Sequence, residues 1–172
     1  MNARDHFLML ARYNVWATDR LLERHVARLS DDEYKRDVGL FFKSVHGTLN
    51  HLLLAERGLW FERFANGRSP SRKLDEEVHA DRAAAVAGLR QAVREWIPAI
   101  ESWDESRFAG VLHYTSSQGV ARTPPFTAAL THVFNHGTHH RGQISAALTA
   151  LGHEGPELDL LFPVLAEAAK KS

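Results

Sequence analysis

Four of the chain's 11 histidines fall between His132 and His140, in the segment Thr131-His132-Val133-Phe134-Asn135-His136-Gly137-Thr138-His139-His140-Arg141-Gly142-Gln143. Neutral imidazole is the commonest protein ligand for a transition metal. Histidines four residues apart on a helix stand about 40° apart around it and one turn apart along it, so both rings can reach one ion. More than one pairing can be written here, and position on the helical wheel chooses between them. With His136 at zero and about 100° per residue, Ala129, Val133, Ile144, Ala147 and Leu151 fall between about 20° and 80°. His140 falls near 40°, inside that apolar arc, and His136 lies at its edge. His132 and His139 fall near −40° and −60°, toward the rim or solvent. His136 and His140 therefore form the inward-facing pair.

Two neutral imidazoles on a core face cost free energy unless they are hydrogen-bonded or bound. Two protein ligands are few for a firmly held ion, so a third histidine is expected from another helix. His51 is the best candidate: it lies mid-way along an apolar segment, with Thr48, Leu52 and Ala55 on its inner side. Gly47, Thr48, Ala55 and Gly58 are expected to leave space above an ion. Three histidines from two helices leave coordination positions open, the catalytic rather than the structural pattern. Taken alone, His51 also reads as a core histidine with a backbone partner. His6, His25, His46, His79, His113 and His153 have no second member at ligand spacing and read as surface or hairpin residues.

Two other chemistries are not written in this pattern. The segment lacks the glutamate beside the first histidine that serves as base in metalloprotease helices. No carboxylate lies one turn from His51 or the pair, so a two-histidine, one-carboxylate iron site is not encoded locally, though an acid can arrive from another helix or the hairpin. The chain has no cysteine, which removes disulfides, thiolate ligands and a cysteine nucleophile, so any thiolate must come from a substrate. Lys plus Arg number 21 and Asp plus Glu 21, a balance that argues against nucleic-acid binding by phosphate neutralisation. No apolar run approaches the ~20 residues of a membrane span, and Met1–His6 does not open a signal peptide. A cytoplasmic location is the expectation.

The elements that must position these histidines read as helices. Leu8, Ala11, Val15, Leu22, Val26 and Leu29 recur at helical spacing, giving a helix over about 3–28, followed by a polar break at Ser30-Asp31-Asp32-Glu33. Ser44 is the N-cap of a second helix running to about Phe64, with Asn66-Gly67 as its stop. A third is expected after Asp75, with Glu76 and Glu77 in its first turn and Pro98 kinking or ending it early. Val111–Thr115 and Gly119–Thr123 flank Ser116-Ser117-Gln118 as a short hairpin. Thr123-Pro124-Pro125 starts a fourth helix over about 126–151 that stops at Gly152. A short helix from Asp159 to Lys170 closes the chain, with Pro163 in its first turn. The expected architecture is all-α: a four-helix bundle with a short β-hairpin before the last long helix and a short C-terminal helix, a single domain over 1–172.

Three stretches resemble the DinB/YfiT-like family of small metal-binding four-helix bundles. Tyr13-Asn14-Val15-Trp16-Ala17 with Arg20-Leu21-Leu22 is similar to its first-helix signature, and His46-Gly47-Thr48-Leu49-Asn50-His51-Leu52 with Trp60 to its second helix. Asn135-His136-Gly137-Thr138-His139-His140-Arg141-Gly142-Gln143-Ile144 matches its most specific motif. The resemblance spans almost the whole chain. It implies a divalent metal held by three histidines, mapping here onto His51, His136 and His140: zinc or nickel foremost, with iron, manganese, cobalt or copper also accepted by such a set. It further implies a homodimer, and a small-molecule substrate that includes a low-molecular-weight thiol in some relatives. The activity expected is that of a metal-dependent thiol S-transferase or hydrolase. The alternative is a non-catalytic, metal-stabilised stress-response or interaction module. Fold and metal do not fix the reaction. Tyr13, Asn14 and Trp16 are candidates for lining the pocket, against a plainer role in the core.

Overall fold

The computed structural model describes residues 2–170. Helix α1 (Ala3–Arg24) starts at an Asn2 cap whose side chain accepts the Asp5 amide. It ends sooner than the apolar spacing predicts, and Val26–Arg28 form a 3₁₀ turn instead. The polar break becomes a short helix, α2 (Asp31–Lys35), nucleated by a Ser30–Glu33 capping box. The second rod begins at the predicted Ser44 cap. It comprises α3 (Val45–Leu53), a π-helical segment over Leu54–Phe61 and a last α-turn, α4 (Glu62–Ala65).

The third long helix, α5 (Arg82–Ser102), starts six residues later than predicted, capped by Asp81, whose side chain accepts the Ala84 amide. Glu76 and Glu77 do not join it because they have other partners: Glu76 accepts two hydrogen bonds from Arg72, at 2.7 and 2.6 Å, and Glu77 Oε1 lies 2.6 Å from His46 Nε2. Pro98 does not end α5 early. It sits on the exposed face, and the helix continues through it to Ser102 because Trp96 and Ile100 on either side are fully buried. The hairpin forms as β1 (Tyr114–Thr115) and β2 (Ala121–Arg122), antiparallel, with Tyr114 opposite Arg122. Helix α6 (Phe126–Ala150) ends as predicted, with Gly152 at φ +85°, and α7 (Leu161–Ala169) follows. Among the described residues, no helix is long and apolar enough to cross a membrane.

The four long rods pack around two apolar clusters. One gathers Leu21, Val26, Leu49, Leu89, Val93, Ile144 and Leu148. The other is aromatic, with Phe7, Phe64, Trp96, Trp103, Phe108, Phe126 and Phe134. On α1, on the second rod and on α6, buried polar residues interrupt the stripe between these clusters: Asn14 and Thr18, then Thr48 and Glu56, then Arg141. His51 and His140 are buried on this same stretch of their helices. The histidine cluster therefore sits at mid-height, where the apolar core is broken.

Candidate metal centre

The structure brings His51, His136 and His140 together, with one ring nitrogen from each lying within 4.8 Å of the others. His51 Nε2 and His140 Nε2 each lie 3.1 Å from His136 Nε2. His132 and His139 are exposed, as the wheel predicts.

His51 owes its placement to three local features. Ser44 caps α3 by accepting the Gly47 amide at 3.0 Å, and the Thr48 hydroxyl donates to the Ser44 carbonyl at 2.9 Å. Asn50 then clamps the returning loop, accepting the His79 amide at 2.8 Å and donating to the His79 carbonyl at 3.1 Å. That loop presents the Leu74 carbonyl to His51 Nδ1 at 2.7 Å. A carbonyl only accepts, so Nδ1 carries the proton and Nε2 of the neutral ring keeps its lone pair toward the cluster. On α6, His140 Nδ1 lies 2.7 Å from Gln143 Oε1, which orients the second ring in the same sense.

This arrangement fits a cation. With Nδ1 protonated on His51 and His140, both of their Nε2 atoms are acceptors facing His136 Nε2. A neutral His136 can donate to one of them only, so at least one 3.1 Å contact brings lone pair against lone pair. A metal at roughly 2.0–2.1 Å from each nitrogen requires ligand separations of roughly 2.9–3.4 Å, which the two contacts match. Outer hydrogen bonds from the non-ligating nitrogen are the usual companions of metal-bound histidine. All three rings favour the neutral, ligating form. Burial, reinforced by the neighbouring His140 and His51, lowers His136 to about 3. Burial also lowers His140 to about 4 against the opposing Gln143 bond, and lowers His51 against the opposing Leu74 bond.

The expected open space above the ion is absent on the α3 side. A Cβ at Gly47 would lie 2.1 Å from the Phe42 carbonyl oxygen, so glycine there admits the preceding loop, not a ligand. Lys43 takes φ +68° to make that fold-back, and the Phe42 ring stacks on His51 with centroids 3.8 Å apart, lying 5.6 Å from His140. Gly58 gives no room either, because Leu54 would meet its Cβ at 3.0 Å. His46 also differs from the expected surface residue: it is buried, edge-on to Tyr34, and tied to Glu77.

A carboxylate does approach by a longer route. Glu56, five residues after His51 in the π-helical segment, is buried and accepts from Asn14 Nδ2 at 3.1 Å, while Asn14 accepts in turn from Arg141. Burial raises the Glu56 pKa, opposed by Asn14, the Arg141 charge and the Trp96 indole. A Cβ on Gly137, between the two α6 histidines, would crowd Arg141, Asn14 and Glu56 at 3.0, 3.1 and 3.2 Å. Glu56 is not one of the three clustered ligands. Tyr13 and Asn14 do not line the histidine cluster. Asn14 is a core residue of this network, and Tyr13 donates to the Leu158 carbonyl at 2.7 Å beside a separate cavity of about 590 Å³. Trp16 is half-buried against Phe162. The Asn14–Glu56–Arg141 network escaped the sequence reading because it joins residues far apart in the chain, and the Phe42 cover because it depends on a loop fold-back that no periodicity marks.

Comparison with known proteins agrees with this fold. A family model described as the DinB family matches residues 1–170. The protein named DinB from Bacillus subtilis (strain 168) is 27% identical over 160 residues, covering 90% of this chain and 91% of the relative. Among solved structures, a DinB-like protein from Bacillus cereus ATCC 10987 superposes with a TM-score of 0.64 at 18% identity, covering 89% of this chain and 95% of that one.

Proposed function

The chain belongs to the DinB family, and on that premise we propose that it holds one divalent metal ion through His51, His136 and His140 and acts as a metal-dependent enzyme on a small molecule, as a thiol S-transferase or a hydrolase. The observation that carries this reading is the convergence of three Nε2 atoms, two pairs of them 3.1 Å apart, with the Nδ1 of two of the rings, His51 and His140, engaged elsewhere. When bound, such an ion polarises an electrophile and stabilises the anion of a water or thiol. The protein's own residues supply the surroundings. Leu74 and Gln143 fix the orientation of two rings, and the Phe42 ring keeps water from one side of the cluster. The cluster contains no carboxylate, which disfavours the peptidase mechanism built on a neighbouring glutamate. Without cysteine, the chain supplies no thiolate of its own. Zinc or nickel is the proposed ion, and a homodimer of single-domain chains the proposed assembly, checked by sedimentation.

The test is an assay of untagged protein against two panels, thiols with electrophiles and small esters or amides, with and without chelator. Turnover that chelation abolishes and added metal restores supports the enzyme. Turnover indifferent to chelation contradicts it, and metal-replete protein inert on both panels leaves the non-catalytic module.

A further inference from the structure

Two arginines are buried, and their charges are met differently. Arg141 reaches the Glu56 carboxyl through Asn14. Arg63, only 5% exposed, has no carboxylate partner among the described residues. Its guanidinium lies 4.5 Å from the Trp60 ring and 4.6 Å from the Tyr114 ring. Its one hydrogen bond, to the Thr115 carbonyl, is long at 3.5 Å, and its buried Nε has no partner. Aromatic faces offset part of the cost of desolvating a cation, but an uncompensated buried charge is expensive.

Arg63 also stands at the end of a strip that leads to the histidine cluster. From His136 the next ring is His132, at 5.7 Å; from His132 the next is Trp60, at 5.0 Å; Trp60 then touches both Arg63 and Tyr114. Phe42 covers His51 and His140, whereas His132 is exposed and Trp60 and Tyr114 are half-buried. The strip is therefore a flank of the cluster that Phe42 does not cover.

We propose that the strip from His136 past His132 and Trp60 is the ligand groove of the cluster, and that Arg63 selects ligands carrying an anionic group, such as a carboxylate, at the far end of this strip from the atom held by the histidines. This rests on the metal-site reading above and adds the substrate class: small anionic molecules long enough to bridge the two points. Trp60 and Tyr114 flank the guanidinium, and its Nε, which has no partner in the protein, is the donor left for an anion.

The test uses untagged, cobalt-loaded protein titrated with 6-mercaptohexanoate, 6-mercaptohexanol and mercaptoacetate, sulfur-to-cobalt absorption reporting binding. The long acid binds about tenfold more tightly than the long alcohol, the gain of one charge-assisted contact. Arg63→Met, which keeps an apolar stem between the rings, abolishes that difference, while Arg63→Lys retains part of it. Equal binding of the two long thiols by the unaltered protein, or a preference that survives Arg63→Met, overturns the proposal. If Arg63→Met does not fold, the unaltered protein decides: mercaptoacetate is too short to reach Arg63, so a carboxylate gain as large for it as for the long acid also overturns the proposal. Absence of cobalt binding defeats the metal-site reading separately. Hexanoate is then titrated into metal-free protein, where shifts of the His132 ring resonances that Arg63→Lys keeps and Arg63→Met loses uphold the anion site, and unchanged resonances overturn it.

Discussion

Gln143 stands three residues beyond His140 on α6, and its Oε1 lies 2.7 Å from His140 Nδ1. One helical turn thus carries both a clustered imidazole and the group that fixes which of its nitrogens faces the cluster. Gln143→Leu is expected to keep the fold, since Gln143 is only half-buried, and to weaken metal binding by about 10–100-fold. Competition against a chromogenic chelator measures this; unchanged affinity would show that the contact does not orient the ring.

Asn50 does for His51 what Gln143 does for His140, but indirectly, by clamping the loop that carries the Leu74 carbonyl. The α6 pair was legible in the sequence because both members share one helix, where periodicity fixes direction. His51 was legible as an inward residue, yet nothing local distinguished a core histidine from a clustered one, and the structure gives it both a backbone partner and two neighbouring rings. Helix stops at Gly67 and Gly152 and the Ser44 cap were readable because they are local chemistry. The start of α5 was misread because Glu76 and Glu77, apt for a first helical turn, are claimed by Arg72 and by His46 on α3. The Asn14–Glu56–Arg141 bridge was invisible for the same reason: its partners lie 42 and 127 residues apart.

Glu56→Ala removes the acidic end of that bridge and leaves Arg141 buried without a counter-charge. It is expected to destabilise the protein by about 3–5 kcal/mol in denaturant unfolding. Glu56→Gln, able to keep the Asn14 bond, is expected to cost less. Equal and small losses in both would show that Arg141 does not depend on Glu56.

Gly47→Ala places a methyl 2.1 Å from the Phe42 carbonyl, a backbone atom that cannot swing aside. The 40–43 turn must lift, carrying the Phe42 ring off His51. A loss of about 1–3 kcal/mol is expected, and a crystal structure of the variant should show the two rings unstacked. Wild-type stability with the rings still stacked would refute this.

Acid should destabilise the metal-free protein before the carboxylates titrate. Unfolded imidazoles take up protons near pH 6.5, whereas His136 and His140 in the fold do so only near 3 and 4. Between these limits the unfolded chain binds more protons, so stability falls as pH falls, by up to about 1.4 kcal/mol per pH unit per ring. Urea unfolding between pH 6.5 and 5 should show this slope, shallower by one proton in His136→Ala. Parallel slopes would mean that His136 titrates normally in the fold.

The central claim is that the imidazoles of His51, His136 and His140 share one cation. Elemental analysis of untagged protein, beside a His136→Ala/His140→Ala variant purified identically, tests it most directly. The account predicts about one divalent ion per chain in the first and none in the second; the same metal content in both would contradict it.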